Sequence, residues 1–243
     1  MIISIKMEIV STLKGHIDSV SCLLYINGLL YSSSYDRTIK VWKDNELVDT
    51  LKGHTDTVRC LIYTNGLLYS GSWDKTIKVW KDNKLIATLE GHTDAVSCLT
   101  CTEGLLYSGS ADETIKVWKS NKLVDILEGH ADSVSCLTYV NGLLYSGSYD
   151  KTIKVWKDNE LVATLEGHTG SVRCLVYANG LLYSGSWDNT IKVWKDNVLV
   201  NTLEGHTDSA ECLLYAEGLL YSGSVDKTIK VWKEPGLLTK RAI

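Results

Sequence analysis

Long apolar stretches are missing from this sequence of 243 residues, and their absence limits what the protein can be. The longest apolar runs, such as Ile-Asn-Gly-Leu-Leu-Tyr at 26–31, hold about six residues. A helix needs roughly 20 apolar residues to cross a bilayer, so we predict no membrane span. The first ten residues also lack a long apolar core followed by a small-residue cleavage site, so no signal peptide is predicted.

A basic stripe is also missing. The formal net charge is −4, and the Lys and Arg residues are scattered evenly along the chain. Proteins that neutralise nucleic-acid phosphates concentrate positive charge on one face. The sequence therefore predicts that neither DNA nor RNA is a partner.

Motifs that carry catalysis are absent as well. The chain has no Gly-rich phosphate loop, no Gly-x-Ser-x-Gly and no Cys or His cluster with the spacing of a metal site. We therefore predict no enzyme activity, no cofactor and no metal.

Six of the seven cysteines recur at one register, so they occupy equivalent places in separate structural units rather than forming pairs. A ring of metal-binding thiols is a conceivable use of such a register, but we interpret these cysteines as small core residues. Unpaired cysteines indicate a reducing setting, and we expect an intracellular, cytoplasmic protein. The six are Cys22, Cys60, Cys98, Cys136, Cys174 and Cys212.

What the chain does contain is a repeat. A Gly-His pair recurs every 38 residues, and a tryptophan follows 26 residues after each histidine. A fixed period of this size indicates a repeat architecture, in which each unit buries its faces against its neighbours. Six units fill residues 7 to 234, and we predict a single domain over 1–243.

Each unit contains four β-rich runs. In the first unit they lie at 19–25, 29–34, 38–42 and 46–51. An Asn-Gly pair separates the first two runs, and it suits a two-residue hairpin because both central residues need a positive φ. Helix signals are absent, so the pattern predicts an all-β protein with four antiparallel strands in each unit.

Four short strands with a Gly-His and a Trp at fixed offsets resemble the WD-repeat (WD40) family of β-propellers, and the resemblance covers almost the whole chain. It implies a structural tetrad in every blade, in which histidine, serine, aspartate and tryptophan satisfy one another's hydrogen bonds. A buried member left unpaired would cost about 1–3 kcal/mol. Lysine stands after each tryptophan where the family has aspartate, but that position is outside the tetrad. The implied tetrads are His16, Ser32, Asp36, Trp42; His54, Ser70, Asp74, Trp80; His92, Ser108, Asp112, Trp118; His130, Ser146, Asp150, Trp156; His168, Ser184, Asp188, Trp194; and His206, Ser222, Asp226, Trp232.

The ring must close between the last blade and the first. Seven segments compete to be the six fourth strands, and the rear candidate at 236–243 follows Pro235 and carries Arg241 where the others have leucine. We predict that residues 8–13 complete the sixth blade, which gives a closed, six-bladed, monomeric propeller without exposed sheet edges. A borrowed blade or a swapped dimer is the alternative.

The repeated histidines and aspartates are poor candidates for catalysis. A catalytic group normally occurs once in a chain, whereas these residues recur in all six units with no unit singled out. This supports the prediction that the protein is not an enzyme.

One position in the repeat is free to vary, although its neighbours are not. The family resemblance implies that this residue, just before the tetrad aspartate, faces the docking end of the propeller. The residue after the first-strand valine (alanine in the last unit) is implied to reach the same end. The first series is Tyr35, Trp73, Ala111, Tyr149, Trp187, Val225, and the second is Ser21, Arg59, Ser97, Ser135, Arg173, Glu211.

The two series together repeat every three blades, which suggests that a three-unit block was duplicated. In a six-fold ring, Arg59 with Trp73 would lie across the opening from Arg173 with Trp187. Exposed Trp, Tyr and Arg dominate the binding energy of protein interfaces, and an Arg stacked on a Trp adds about 0.5–1 kcal/mol. We therefore predict a partner-binding site formed by Tyr35, Arg59, Trp73, Tyr149, Arg173 and Trp187.

The leading hypothesis is thus a non-enzymatic scaffold that captures a peptide or a loop of a protein partner at this end of the propeller. Two alternatives stay open. The aromatic side chains could stack on sugar rings in a carbohydrate-binding propeller, or the chain could be an engineered or recently amplified scaffold with no specific ligand.

Overall fold

The computed structural model describes residues 10–102 and 104–233. These residues form 23 β-strands and contain no helix, so none of them provides a helix that could cross a membrane. The strands form six separate antiparallel sheets, five of four strands and one of three, and each sheet follows sequence order. We call these sheets blades 1 to 6. The all-β architecture predicted from the repeat is confirmed.

The first three blades hold strands β1 to β12. Blade 1 consists of β1 (Val20–Ile26), β2 (Leu29–Ser34), β3 (Ile39–Lys43) and β4 (Glu46–Leu51). Blade 2 consists of β5 (Val58–Thr64), β6 (Leu67–Ser72), β7 (Ile77–Lys81) and β8 (Lys84–Leu89). Blade 3 consists of β9 (Val96–Cys101), β10 (Leu106–Ser110), β11 (Ile115–Lys119) and β12 (Lys122–Leu127).

The last three blades hold strands β13 to β23. Blade 4 consists of β13 (Val134–Val140), β14 (Leu143–Ser148), β15 (Ile153–Lys157) and β16 (Glu160–Leu165). Blade 5 consists of β17 (Val172–Ala178), β18 (Leu181–Ser186), β19 (Ile191–Lys195) and β20 (Val198–Leu203). Blade 6 consists of β21 (Ala210–Ala216), β22 (Leu219–Ser224) and β23 (Ile229–Lys233).

Two tight hairpins set the strand register of each four-stranded blade. In blade 1, Asn27 (φ 51°) and Gly28 (φ 80°) both have positive φ, as the two-residue hairpin predicted between the first two strands requires. Asp44 (φ 50°) and Asn45 (φ 68°) form a second turn of the same kind between β3 and β4. Both hairpins lie at one end of the blade, and the β2–β3 turn that carries the tetrad aspartate lies at the other.

The apolar core lies between the blades rather than within them. At the joint of blades 1 and 2, Ile39 and Val41 pack with Val58 and Trp80, and all four are buried. Corresponding clusters fill the next four joints. Each fully buried aliphatic side chain stabilises the fold by about 1.5–3 kcal/mol. Because these side chains lie between blades, packing against the adjacent blade supplies most of the stability of each blade.

The first strands of successive blades pack side by side, in the order β1, β5, β9, β13, β17 and β21. They therefore line the centre of the propeller, and the later strands of each blade lie progressively further out. Any side chain that leaves a first strand toward the axis enters the central opening.

Blades 1 and 6 each expose a face that is buried in the four inner blades. Ile229 of blade 6 is 73% exposed, whereas its counterpart Ile191 in blade 5 is fully buried. In blade 1, Tyr25 is 72% exposed, whereas equivalent tyrosines such as Tyr139 stack on a tyrosine of the preceding blade. The described residues thus show five packed joints between six blades.

The strand predicted to close the ring is not among the described strands. Its residues 8 and 9 lie outside the described part of the chain, as does the rear candidate at 236–243. Residues 10–13 are described and lie in no strand, with Val10 93% exposed. Closure of the sixth blade by the N-terminal strand therefore stays a prediction.

A glycine in the second strand tests how tightly the joints are packed. A Cβ added at Gly109 would lie 2.6 Å from Cys98 Sγ and 2.6 Å from Val134 Cγ1 of the next blade. We expect Gly109→Ala to destabilise the protein by about 1–3 kcal/mol through overpacking, measured by urea unfolding. At Gly223, in the uncovered face of blade 6, the added Cβ would meet only Cys212 Sγ. Gly223→Ala should therefore be the milder change, and an equal loss would show that this face is covered in solution.

Candidate partner-binding site

The tetrad of blade 3 shows why the repeated polar residues are fixed. The Trp118 indole N–H donates to Ser108 Oγ at 2.8 Å, and His92 Nε2 lies 2.7 Å from the same oxygen. His92 Nδ1 lies 2.7 Å from Asp112 Oδ2. Because a carboxylate only accepts, Nδ1 carries the proton, and the Ser108 hydroxyl can then donate to a neutral Nε2. The chain of donors therefore runs from tryptophan to serine to histidine to aspartate.

The other five blades repeat this geometry within a narrow range. The His Nδ1 to Asp Oδ2 distances are 2.6–2.7 Å, and the Trp Nε1 to Ser Oγ distances are 2.8–2.9 Å. The His Nε2 to Ser Oγ distances are 2.7–2.8 Å. Among the described residues no buried side-chain nitrogen or oxygen lacks a partner. The structure thus places all 24 tetrad residues in the blade interiors, with their hydrogen bonds used internally.

The tetrad aspartates are held as carboxylates. Burial raises the pKa of Asp112, but the hydrogen bonds from His92 and Thr114 lower it by more than burial raises it, so the net shift is downward. The same balance, with the Thr38 and His16 hydrogen bonds, lowers the pKa of Asp36 to about 2. A carboxylate with four donors already in place stabilises the blade and has no lone pair directed at a substrate.

The repeated cysteines are partly or fully buried, except for Cys212 in the uncovered face of blade 6. Burial raises the pKa of the Cys60 thiol to about 12 and that of Cys136 to about 11, so these thiols are not nucleophiles at neutral pH. In residues 10–102 and 104–233, no group of three or more His, Cys, Asp or Glu side chains could hold a metal ion.

A β-bulge explains why the variable first-strand residue reaches the axis. In blade 2, Val58 pairs with Ser72 and Cys60 pairs with Gly71, so Arg59 is left between them without a partner strand residue. A bulged residue re-aims its side chain relative to the pleat. Equivalent register shifts occur in the other blades, at Ser21, Ser97, Ser135, Arg173 and Glu211. These six side chains therefore leave the strand in a direction different from that expected for regular alternation between the two faces of the sheet.

The variable turn residue is held in every blade by a hydrogen bond from its backbone N–H. The Trp73 N–H donates to the Thr57 carbonyl at 2.9 Å, and the Ala111 N–H donates to the Ala95 carbonyl at 2.9 Å. A backbone hydrogen bond places no demand on the side chain, so the residue type is free to differ between blades. The Trp73 and Trp187 side chains are 41% and 47% exposed.

Nine of the twelve residues in these two series line one cavity of about 420 Å³, which we call the central cavity. Five of the six predicted partner-binding residues line it, and the sixth, Trp187, contacts two of them. Other cavities recur at the blade junctions near the opposite, hairpin end and follow from the repeat itself. The residues that line the central cavity are Tyr35, Arg59, Trp73, Ala95, Ser97, Ala111, Ser133, Ser135, Tyr149, Arg173 and Glu211.

One side of the central cavity carries an internal ion pair. Arg173 Nε donates to Glu211 Oε2 at 3.1 Å, and its guanidinium carbon lies 5.2 Å from the ring centroids of both Tyr149 and Trp187. Arg173 Nη1 also donates to the Tyr149 hydroxyl. The Trp187 indole N–H donates to Glu211 Oε1 at 2.9 Å. We call Tyr149, Arg173, Trp187 and Glu211 the second quartet.

The corresponding residues on the other side are arranged differently. Trp73 meets Tyr35 edge to face, with ring centroids 5.5 Å apart. The residue that corresponds to Glu211 is Ser97, which is too short to bridge two donors. Within the described residues, Arg59 has no hydrogen bond, ion pair or aromatic ring beneath it. The cation–π contact expected between arginine and tryptophan is thus present for Arg173 and absent for Arg59. We call Tyr35, Arg59, Trp73 and Ser97 the first quartet.

Comparison with known proteins places the chain in the WD40 family. The family model described as "WD domain, G-beta repeat" matches six consecutive segments, which together span nearly the whole chain. The chain therefore belongs to the WD40 family, whose propellers are generally non-enzymatic scaffolds that bind proteins or peptides. The matched segments are residues 7–43, 45–81, 83–119, 121–157, 159–195 and 197–233.

Solved structures agree with this assignment. The crystal structure of the computationally designed Ika8 protein has a TM-score of 0.83 and 32% sequence identity, over 92% of this chain and 73% of that one. The crystal structure of the WD40 β-propeller domain of Doa1 has a TM-score of 0.81 and 29% identity, over 92% of this chain and 82% of that one. A comparison with curated proteins found no match.

Proposed function

We propose that the protein is a non-enzymatic interaction scaffold, which binds a peptide or a loop of a protein partner at the mouth of the central cavity. The observation that supports this most directly is that the repeated residues and the variable residues occupy different places in the structure. The repeated polar side chains form hydrogen bonds inside the blades, and most of the side chains that differ between blades line one cavity.

The composition of the cavity also supports a protein ligand. Two arginines, two tryptophans and two tyrosines lie in or against it, and these residue types are enriched at interface hot spots. The designed neighbour is compatible with the alternative of a scaffold without a specific ligand. Under that alternative, changing these side chains would alter nothing that the protein binds.

A displayed peptide library and a pull-down from cytosol test the proposal together. The bait is the native protein or a variant with Arg59→Ala, Trp73→Ala, Arg173→Ala and Trp187→Ala. We expect the variant to lose the peptides and proteins that the native protein enriches, by about 100-fold or more in affinity, since hot-spot truncations remove about 2–4 kcal/mol each.

The matched control changes exposed apolar residues elsewhere. Leu85 and Ile86 lie on the outer strand β8 and are partly exposed, so Leu85→Ala with Ile86→Ala should leave the captured set unchanged. Capture that is identical for all three baits would contradict the proposal. Enrichment of glycans on an array, lost on Trp73→Ala, would favour a carbohydrate ligand instead.

A further inference from the structure

The two quartets are corresponding sets of residues, separated by three repeats. Tyr35, Arg59, Trp73 and Ser97 each lie 114 residues before Tyr149, Arg173, Trp187 and Glu211 in the sequence. Three of the four positions hold the same residue type in both sets. The fourth differs, with serine in the first quartet and glutamate in the second.

In the second quartet, two side chains of the cavity bind the carboxylate of Glu211. One oxygen of Glu211 accepts from Arg173 Nε at 3.1 Å, and the other accepts from Trp187 Nε1 at 2.9 Å. A guanidinium and an indole N–H thus hold the two oxygens of a single carboxylate. Charge-assisted hydrogen bonds of this kind are about twice as strong as neutral ones.

The first quartet offers the same two donors without the acceptor. Arg59 is half-buried against the central cavity and, among the described residues, has no ion pair or hydrogen bond. The Trp73 indole N–H likewise has no acceptor in the described chain. Arg173 and Glu211 balance one another's charge, so the cavity keeps one uncompensated positive charge, at Arg59.

From this pairing we infer that the first quartet is a carboxylate-binding site, in which Arg59 and Trp73 Nε1 grip an Asp, Glu or C-terminal carboxylate of the partner. The inference rests on the proposed function, because it assigns a chemical class to the partner that the cavity binds. Glu211 occupies the corresponding place in the second quartet and acts there as an internal copy of that ligand.

The inference predicts the effect of exchanging the two distinguishing residues. Ser97→Glu should supply the first quartet with its own carboxylate and block the site, whereas Ser97→Gln has the same length without the charge and should block it less. Glu211→Ser should release Arg173 and Trp187 and create a second site of the same kind.

Nuclear magnetic resonance of ¹⁵N-labelled tryptophan side chains measures this without a known partner. Sodium acetate is the carboxylate probe, acetamide is its neutral counterpart, and inorganic phosphate tests a different anion, all at constant ionic strength. In the native protein we expect acetate to shift the Trp73 indole signal saturably and to leave the Trp187 signal in place. In Ser97→Glu the acetate affinity should fall about 10- to 100-fold, as expected when a charge-assisted hydrogen-bonded pair is already made internally. In Glu211→Ser the Trp187 signal should respond too.

Three results would overturn the inference: no response of Trp73 to acetate, a response to phosphate alone, or equal blocking by Ser97→Glu and Ser97→Gln. The proposed function fails on different evidence, namely partner capture that survives the four-residue alanine variant. Loss of capture in that variant together with an unresponsive Trp73 would keep the binding face and reject the carboxylate.

Discussion

Trp118→Ala should lower the free energy of unfolding by about 3–5 kcal/mol, a large part of the stability of an ordinary domain. The Trp118 side chain is buried at the joint of blades 2 and 3, where it packs with Ile77, Val79 and Leu106. Its removal leaves a cavity at the joint and deprives Ser108 Oγ of the indole donor. Urea unfolding followed by circular dichroism measures the loss.

Trp73→Ala is the matched control, because it removes the same side chain from an exposed turn. Surface substitutions usually change stability by no more than about 0.5 kcal/mol, so this variant should unfold close to the native midpoint. Similar losses for both variants would contradict the distinction between a structural tryptophan inside the blade and an exposed tryptophan at the cavity.

Acid should unfold the protein steeply below about pH 4. In five of the six tetrad aspartates, burial is the largest single influence on the pKa and raises it. The hydrogen bonds together outweigh burial, so the pKa of all six is lowered in the folded state. A lowered folded-state pKa gives stability that is present above the unfolded value of about 3.9 and is lost as pH falls through the folded value. For Asp36 that folded value is about 2, so its contribution disappears between about pH 4 and about pH 2.

Each proton that the unfolded chain binds in excess steepens this fall by about 1.4 kcal/mol per pH unit, and by less where solvent screens the carboxylate. The urea midpoint should therefore change little from pH 7 to pH 5 and then drop sharply. A midpoint that stays constant down to pH 3 would contradict the tetrad hydrogen bonds.

Asp112→Asn isolates one of these carboxylates. The variant should be less stable than the native protein at pH 7, and the difference should shrink as pH falls, because the native carboxylate is then protonated. Asp94→Asn is the control, since the Asp94 carboxylate is exposed and accepts only from the neighbouring Ala95 N–H. It should leave the pH profile parallel to that of the native protein.

Much of the fold could be predicted from the sequence because the repeat fixes it six times over. The Gly-His and Trp spacing located every blade, and the Asn-Gly pairs located the hairpins, where both residues indeed have positive φ. The contact between the last blade and the first occurs once in a ring, so no repetition in the sequence specifies it. That joint is also where the predicted closing strand, 8–13, is not among the described strands.

The residues of the candidate site could be predicted from the sequence, but the contacts between them could not. Comparison of the six repeats identified the variable positions, and in the structure most of them line one cavity. The β-bulge at Arg59 was not predicted from the sequence; only the family resemblance implied that this position reaches the docking end. The bridging role of Glu211 was missed, although its place 38 residues after Arg173 was visible in the aligned repeats.

The repeated side chains hold the blades together, and we propose that the variable side chains bind the partner. The most direct measurement determines both stability and affinity, for a peptide selected on the native protein, in Trp73→Ala and Trp118→Ala. We expect native stability with lost binding for Trp73→Ala, and lost stability for Trp118→Ala with binding retained by the fraction that stays folded. Native affinity in Trp73→Ala, or a folded Trp118→Ala that no longer binds, would contradict it.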